Sequence, residues 1–275
     1  MKIPFTKMSG AGNDFVVVDN RNAIISKPSE FSQAVCNRRL GIGADGILLI
    51  EKSDISDFTM KYYNADGSNA GMCGNGGRCI AKYAFDNKIV THEKFSFEGF
   101  GHIYNVSRID PTTYALSMKD PICLILNQNI EFEGKILKGN YLNTGTDHSI
   151  IFLDDNPEFG SLESVDVFAL GRSIRYHPVY SPKGTNVNFV SCEGSNVIKI
   201  RTYERGVEDE TLACGTGSVA SALLSSLKYT MVSPVSVIVQ SGETLEISFE
   251  RSETQFRNVI LKGSATITFT GEIDV

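Results

Sequence analysis

The sequence lacks the features that several classes of protein require. Basic residues are not in excess, because 26 Lys and Arg stand against 32 Asp and Glu, which gives a formal net charge of −6. Proteins that bind nucleic acids or anionic membranes non-specifically need a basic face, so we expect neither partner. No apolar run approaches the ~18 residues of a membrane-spanning helix, and Met1–Gly10 has no signal-peptide core. We therefore expect a soluble protein of the cytoplasm.

The cysteines also lack the pattern of a disulfide framework or a metal site. All six are irregularly spaced along 275 residues without a secretory signal, which favours free thiols in a reducing compartment. There is no C-x-x-C pair, since Cys73 and Cys79 are six positions apart, and the four histidines form no cluster. We accordingly expect no bound metal. Most of the cysteines are expected to be small buried hydrophobic residues.

The chain is long enough for two domains of ordinary size, and its 41% hydrophobic residues suffice for a sizeable core. Short runs, several of them alternating apolar and polar residues, predict strands. These runs are Phe15–Asp19, Ile47–Glu51, Phe58–Tyr63, Tyr104–Ile109, Tyr114–Lys119, Asn188–Cys192, Val197–Tyr203, Val235–Gln240, Thr244–Phe249 and Ala265–Thr270. Four helices are predicted, from Pro28 to about Arg39, after Cys73, over about Asp166–Tyr176, and after Cys214 through Leu227. The fold class is therefore α/β (α+β).

Two segments of the sequence resemble each other. Cys73-Gly74-Asn75-Gly76 opens one predicted helix, and Cys214-Gly215-Thr216-Gly217 opens another 141 positions later. A predicted strand ends close before each segment, and Asn64 and Arg205 each lie nine positions before the cysteine. Gene duplication explains this repeat, with a boundary near Asp120–Pro121, where proline would stop a central strand. Each half would then present one cysteine at a helix N-terminus.

A cysteine at a helix N-terminus has a distinct chemistry. This end of a helix carries about half a positive charge and leaves four backbone N–H groups without partners, so a thiol there ionises more easily. Glycines allow the N–H groups to approach an anion closely. Each turn therefore predicts a place where a carboxylate lies beside a reactive thiol. The alternative is that the turns only cap two helices over buried cysteines.

Two such thiols could form a redox pair, bind a metal, serve as nucleophile and spare, or act as an acid–base pair. The missing C-x-x-C pair and the scattered histidines disfavour redox and metal chemistry. A two-base mechanism fits best, in which one thiolate removes a proton from carbon and the opposite thiol returns a proton to the other face. The stereocentre is inverted, and the backbone N–H groups stabilise the charge that develops on the carboxylate.

Several motifs carry a resemblance to a known family, diaminopimelate epimerase, over the whole chain and in the family's order. They are Ser9-Gly10-Ala11-Gly12-Asn13-Asp14-Phe15, Asn64-Ala65-Asp66-Gly67-Ser68, Met72-Cys73-Gly74-Asn75-Gly76-Gly77-Arg78-Cys79, Glu204-Arg205-Gly206-Val207 and Ala213-Cys214-Gly215-Thr216-Gly217. The resemblance implies an epimerase without cofactor, and so without pyridoxal phosphate (PLP). Its substrate would be LL-2,6-diaminoheptanedioate, converted to the meso form for lysine and peptidoglycan precursors.

The same resemblance implies an architecture. It is two pseudo-symmetric domains, residues 1–118 plus 262–275 and residues 119–261, each a curled mixed β-sheet around a central helix. The active site is expected in the cleft between the domains. The expected partner is a small amino acid, and a homodimer is one candidate assembly that the sequence does not decide.

Roles follow from the resemblance residue by residue. Cys73 and Cys214 match the two catalytic bases, and His148 matches a residue that assists proton transfer or binds substrate. The matched substrate-binding residues are Asn13, Asn64, Gly74, Asn75, Asn186, Glu204, Arg205, Gly215 and Thr216. Among these, the arginine can grip a carboxylate with two hydrogen bonds and the glutamate can hold an ammonium group.

Two positions depart from the family pattern. The family commonly has Gly-Asn-Pro-His where this chain has Gly145-Thr146-Asp147-His148, so a hydroxyl replaces a ligand amide. Some members carry a glutamine where this chain has Gly46. The segment Gly41–Gly46 also spells G-x-G-x-x-G, but a helix precedes it and a strand follows, which is the reverse of a dinucleotide site.

Other functions remain open at this point. A racemase or epimerase of the same fold acting on proline, hydroxyproline or glutamate would share the two thiols. A non-catalytic protein that binds small anions would tolerate the loss of either cysteine. A thiol redox protein would turn over a disulfide reporter.

Overall fold

The computed structural model describes residues 2–69, 71–132 and 134–274. Over these residues it has 17 strands, four α-helices and three 3-10 helices. The strands are β1 Lys2–Gly10, β2 Asn13–Asp19, β3 Gly46–Glu51, β4 Phe58–Asn64, β5 Lys94–Gly99, β6 His102–Arg108, β7 Thr113–Ser117, β8 Ile122–Phe132, β9 Lys135–Asn143, β10 Asp147–Phe152, β11 Asn186–Gly194, β12 Val197–Glu204, β13 Asp209–Thr211, β14 Val235–Ile238, β15 Thr244–Ser252, β16 Gln255–Ser264 and β17 Thr266–Asp274. The α-helices are α1 Pro28–Cys36, α2 Gly74–Asp86, α3 Val167–Arg175 and α4 Gly215–Lys228.

The four helices and the ten strands predicted from the sequence are all present. The predicted end of the first helix was wrong, because α1 ends at Cys36 rather than near Arg39. The Asn37 side chain causes this early end. Its Oδ1 accepts hydrogen bonds of 2.9 Å from the backbone N–H groups of Arg39 and Leu40, which closes a turn in place of another helical turn.

The chain divides into two compact units. The first consists of Met1–Ser117 and Lys262–Val275, and the second of Met118–Leu261. In the described part of the chain, no helix has the combination of length and apolarity that crossing a membrane requires.

The first unit is a mixed sheet in the order β17-β1-β2-β3-β4-β5-β6-β7. The pairs β2–β3 and β4–β5 are parallel, and α1 and α2 form their crossovers. Helix α2 contacts β1, β2, β3, β4 and also β7 at the far side of the sheet, so the sheet curls around this helix.

The second unit repeats this plan. Its sheet runs β8-β9-β10-β11-β12-β14-β15, with β10–β11 and β12–β14 parallel and with α3 and α4 in the crossovers. Helix α4 contacts β9, β10, β11, β12, β14 and β15. The short strand β13 adds a hairpin on β12. The same order of parallel and antiparallel pairs in both units fits the repeat in the sequence.

The central strands of the first sheet are buried on both faces. In β3, Ile47, Leu48, Leu49 and Ile50 are all fully buried, as a continuous apolar run in a covered parallel strand predicts. Helix α1 covers one face of the first sheet through Phe31 and Val35, while α2 occupies the other. Covering both faces holds the strand ends that surround the start of α2 in fixed positions.

Candidate active site

Cys73 caps the start of α2. Its backbone is extended, with φ −110° and ψ 117°, and its Sγ accepts a hydrogen bond of 3.5 Å from the Gly76 N–H. The side chain is half-buried, whereas Gly74, Asn75 and Gly76 are buried. The sulfur therefore lies at the positive end of a buried helix, where a thiolate is stabilised by the helix dipole and by a backbone donor.

The amide of Asn75 is held from both sides. Its Oδ1 accepts a hydrogen bond of 2.8 Å from Arg78 Nη2, and its Nδ2 donates to Asn13 Oδ1 at 2.6 Å. Arg78 is fully buried and also donates to the carbonyl groups of Gly74 and Ser264. These contacts fix the amide orientation of Asn75 and connect the helix start to the turn between β1 and β2.

Asn13 is in turn held by carboxylates. Its Nδ2 donates to Asp45 Oδ2 at 3.1 Å, and Arg38 bridges Asp45 and Asp14 with contacts of 2.7 and 2.8 Å. Burial alone would raise the pKa of Asp14, but hydrogen bonds and positive charge from Arg38 and Lys7 outweigh it and keep that pKa below its usual value. Asp14 therefore stays charged and holds Arg38, which also contacts Asp45, the residue that binds the Asn13 amide.

Asn64 lies at the same sheet edge, because the strand register aligns Phe15 with Gly46 and Gly46 with Asn64. Its Nδ2 donates to Ser68 Oγ at 3.0 Å. The departure from the family pattern at Gly46 has a local reason, since a Cβ there would overlap the Tyr63 carbonyl oxygen and the Tyr62 ring. No side chain fits at this position unless the backbone of β4 moves.

Cys214 caps the start of α4 with the same extended geometry, φ −123° and ψ 111°. It is more buried than Cys73, with 6% of its surface exposed. Its Sγ lies 3.6 Å from Thr216 Oγ1, and its carbonyl group accepts from the N–H and the hydroxyl of Ser218. The second unit therefore also has a sulfur at the positive end of a buried helix.

The Thr216 hydroxyl belongs to a buried polar cluster. Thr146 Oγ1 donates to Thr216 Oγ1 at 3.0 Å, and His148 Nε2 lies 3.0 Å from the same oxygen. The other ring nitrogen of His148, Nδ1, lies 3.1 Å from Asn188 Nδ2. Asn188 Nδ2 also donates to the Ser149 carbonyl group at 3.3 Å, which identifies this atom as the amide nitrogen.

His148 is neutral at physiological pH. Complete burial, and then the positive charge of Arg205, lower its pKa to about 3. Since Nδ1 accepts from an amide N–H, the single ring proton is on Nε2. The ring therefore donates toward the threonine hydroxyl groups and carries no charge.

Arg205 and Asn186 form a polar patch beside this cluster. Asn186 Oδ1 accepts from the Arg205 backbone N–H at 2.9 Å, and Arg205 Nη1 pairs with Asp147 Oδ2 at 3.0 Å. Burial alone would raise the pKa of Asp147, but hydrogen bonds from Tyr141, Asn143 and Arg205 keep it below its usual value. Glu204 is half-buried next in the chain, and its Oε2 accepts from Thr211 Oγ1 at 2.9 Å.

Known proteins with a similar sequence identify the family of this chain. The family model for diaminopimelate epimerase matches residues 5–117 and 140–268. This chain belongs to the diaminopimelate epimerase family.

Individual relatives of the family cover nearly the whole chain. The diaminopimelate epimerase of Hydrogenobaculum sp. (strain Y04AAS1) is 40% identical over 97% of this chain and 96% of its own. That of Methanocella arvoryzae is 42% identical over 100% of this chain and 98% of its own. The solved structure of a probable proline racemase from Agrobacterium radiobacter K84 has a TM-score of 0.75 at 14% identity, covering 99% of this chain and 93% of that one. The last likeness shows a shared fold.

The site residues that the sequence of this epimerase family member predicts form separate groups in the two units. In the first unit, Cys73, Gly74, Asn75 and Asn13 meet at the start of α2, with Asn64 at the same sheet edge. In the second unit, the group at the start of α4 comprises Cys214, Gly215, Thr216 and His148. Asn186 and Arg205 contact each other, and Glu204 directly precedes Arg205 at the end of β12. In the described residues, no three His, Cys, Asp or Glu side chains form a group that could hold a metal ion.

Several residues of this network were not found from the sequence. They include Arg78, Asp45, Asp147 and Asn188, each of which holds another polar side chain. One signal was available for Asn188. It lies two positions after Asn186 in a buried strand, so both amides point to the same face of β11.

Proposed function

We propose that this protein interconverts the LL and meso forms of 2,6-diaminoheptanedioate without PLP. Cys73 and Cys214 are the acid–base pair, and the reaction supplies lysine and peptidoglycan precursors in the cytoplasm. The observation that carries the proposal is the repeated helix start. Each unit places a cysteine as the cap of a buried helix, within a chain that belongs to the diaminopimelate epimerase family.

The chemistry needs one thiolate and one thiol. The thiolate takes the α-proton, so the C–H bond breaks and an S–H bond forms, while the electron pair moves onto the carbon and its carboxylate. The second thiol then gives its proton to the opposite face, so its S–H bond breaks and a new C–H bond forms. The product has the inverted configuration, and the two sulfurs have exchanged protonation states. The pair is then ready for the reverse reaction, as an epimerase requires.

The two helix starts also supply backbone N–H donors, which stabilise the negative charge formed when the α-proton is removed. The proton is weakly acidic, so negative charge on the carboxylate must be stabilised as the proton departs. Backbone N–H groups of Gly74, Asn75, Gly215 and Thr216 are the donors in this proposal. They are fixed before substrate arrives, because both helix starts are buried.

The charged groups of the second unit suit the rest of a diamino diacid. Arg205 Nη1 is held by Asp147 and by the Gly184 carbonyl group. In the part of the chain that the structure describes, Nε and Nη2 of this arginine contact no acceptor, so they can bind a substrate carboxylate. Glu204 lies next to Arg205 and suits an ammonium group, while Asn13, Asn64 and Asn186 select by geometry without adding charge.

Solvent exchange tests the two-base scheme. In deuterated water, newly formed product should carry deuterium at the inverted α-carbon, while unreacted substrate keeps its protium at early times. This result follows because the sulfur that removes the proton is not the one that returns it. Deuterium appearing equally in substrate and product from the start would contradict two separate bases.

Cysteine variants test the assignment of the bases. Cys73→Ala and Cys214→Ala should each lower the epimerisation rate at least about a hundredfold, the usual scale for losing a general acid or base. Cys192→Ala, at an exposed cysteine of β11, is the matched control and should keep full activity. Purified protein is assayed without added PLP, with proline and glutamate tested beside diaminopimelate. Full activity in either alanine variant, or turnover of proline or glutamate in preference to diaminopimelate, would refute the proposal.

A further inference from the structure

Thr146 belongs to the polar cluster with His148 and Thr216 that lies next to Cys214. Its position departs from the family pattern. The side chain is half-buried, and its hydroxyl donates to Thr216 Oγ1 at 3.0 Å while lying 2.9 Å from His148 Nε2. Thr216 Oγ1 is the atom that lies 3.6 Å from the Cys214 sulfur. The family resemblance gave a ligand role to the asparagine that the family commonly has at this position, and it gave none to a threonine.

The direction of each hydrogen bond in the cluster can be worked out. Asn188 Nδ2 is a donor, so His148 Nδ1 accepts and His148 Nε2 carries the ring proton. The His148 Nε2 proton therefore faces two oxygens, Thr146 Oγ1 at 2.9 Å and Thr216 Oγ1 at 3.0 Å, while Thr146 donates its own proton to Thr216 Oγ1. A hydroxyl has two acceptor sites and one proton. Thr146 already donates to Thr216 and Nε2 carries a proton, so neither can accept from Thr216; among its contacts in the described residues, the Thr216 proton is left for the Cys214 sulfur at 3.6 Å.

We propose that Thr146 is a positioning residue for Cys214. Together with His148, it orients the Thr216 hydroxyl so that the hydroxyl donates to the sulfur and stabilises the thiolate. A hydrogen bond to the charged form of a group favours that form, so the effect is on the ionisation of Cys214. This inference rests on the proposed function only in taking Cys214 as an acid–base group.

Three charged residues at the ends of β10 and β12 already have partners. Asp147 and Arg205 pair with each other at 3.0 Å, and Glu204 accepts a hydrogen bond from Thr211. His148 is buried and neutral. In the first unit, the residue equivalent to Thr216 is Asn75, whose amide forms hydrogen bonds with Arg78 and Asn13. The side chains next to the Cys73 and Cys214 sulfurs are therefore arranged differently.

The ionisation of Cys214 can be followed without substrate. Cysteine labelled at its β-carbon gives NMR signals that titrate with thiol ionisation, and Cys73→Ser and Cys214→Ser identify the two signals. Thr146→Val removes the hydroxyl at nearly constant shape, whereas Thr146→Ser keeps it. We expect a higher pKa for Cys214 in Thr146→Val, with about three- to tenfold less thiolate at neutral pH, and recovery of the original titration in Thr146→Ser.

The Cys73 signal is the internal control and should titrate alike in all variants. In kinetics, Thr146→Val should lower kcat by a larger factor than it changes KM, because the proposed role of this hydroxyl is at the sulfur of Cys214. If Thr146→Val does not fold, Thr146→Ala removes the same hydroxyl with less bulk. Equal Cys214 titrations in the hydroxyl-free and serine variants, or an equal shift at Cys73, would overturn the inference. Because the titration needs no substrate, this outcome is distinct from a failure to epimerise diaminopimelate.

Discussion

At the scale of single residues, burial decides which chemistry a side chain can perform. His148 has no exposed surface and sits among hydrogen-bonding groups that it can satisfy only as a neutral ring. A protonated imidazole would have two N–H groups, and its Nδ1–H would face the donor Nδ2 of Asn188. Held in this way, the ring is a neutral hydrogen-bond donor to the threonine hydroxyl groups rather than a charged acid.

This state of His148 predicts a dependence of stability on pH. Its pKa is lowered from 6.5 to about 3 in the folded protein, so the unfolded chain binds a proton more readily between these values. The free energy of unfolding should therefore fall as the pH drops through this window, by up to about 1.4 kcal/mol per pH unit from this group. Urea unfolding of the protein and of His148→Gln at several pH values measures the contribution.

The glutamine variant should show the shallower slope, even if it is less stable at neutral pH. His92→Gln, at an exposed position, is the control and should keep the slope of the parent. Parallel slopes for the parent and His148→Gln would show that the histidine is not held neutral by burial.

At the scale of elements, the two helix starts share a sequence pattern but differ in the space around them. Gly76 and Gly217 occupy equivalent positions in the repeated motif. A Cβ on Gly76 would lie 3.3 Å from Leu48 Cδ2 and 3.5 Å from Met60 Cε, both at the ends of side chains. A Cβ on Gly217 would overlap Asn188 Oδ1, a buried atom that accepts from Thr202 at 3.0 Å.

This difference predicts that replacing glycine by alanine destabilises the protein at one helix start and has little effect at the other. Gly217→Ala should lower the free energy of unfolding by about 1–3 kcal/mol and reduce activity, because Asn188 must move and releases His148. Gly76→Ala should be near neutral in stability, because alanine favours a helix by up to about 1 kcal/mol and this offsets a mild contact. Thermal unfolding and the epimerisation assay measure both effects. Equal losses in the two variants would refute this account of the packing.

The sequence made the helix starts predictable but not the hydrogen bonds around them. A cap, its glycines and the following small residues are neighbours in the chain, so local patterns reveal them. The bonds between Thr146 and Thr216, and between Asn13 and Asn75, join residues 70 and 62 positions apart. They depend on the register of β10 and on the turn between β1 and β2, which no local pattern encodes. Strand β8 was missed for another reason, since its residues are mostly exposed and do not alternate.

At the scale of the whole molecule, the last strand completes the first unit. Strand β17 pairs with β1 from Lys2 opposite Asp274 to Ser9 opposite Thr266, and Phe5 packs edge-on against Phe269. The first unit therefore depends on residues that are more than 140 positions away from its other strands in the chain.

This connectivity predicts the effect of a truncation. A chain that ends at Leu261 should lose the cooperative unfolding of the first unit, because β1 becomes an unpaired edge with exposed apolar surface. A circular permutant that begins at Met118, with the original ends joined by a short linker, should fold, since both units are then continuous. Differential scanning calorimetry of the two proteins compares them. A truncated chain with the unfolding profile of the full chain would show that β17 is dispensable.

The position of β17 also has a consequence for synthesis on the ribosome. The second unit lies within Met118–Leu261, so all of its strands have been made before the chain ends. The first unit begins earlier but must wait for Thr266–Asp274. During translation, the first unit is therefore completed only after the second unit has been made, and β1 lacks its partner on one side until β17 has been made.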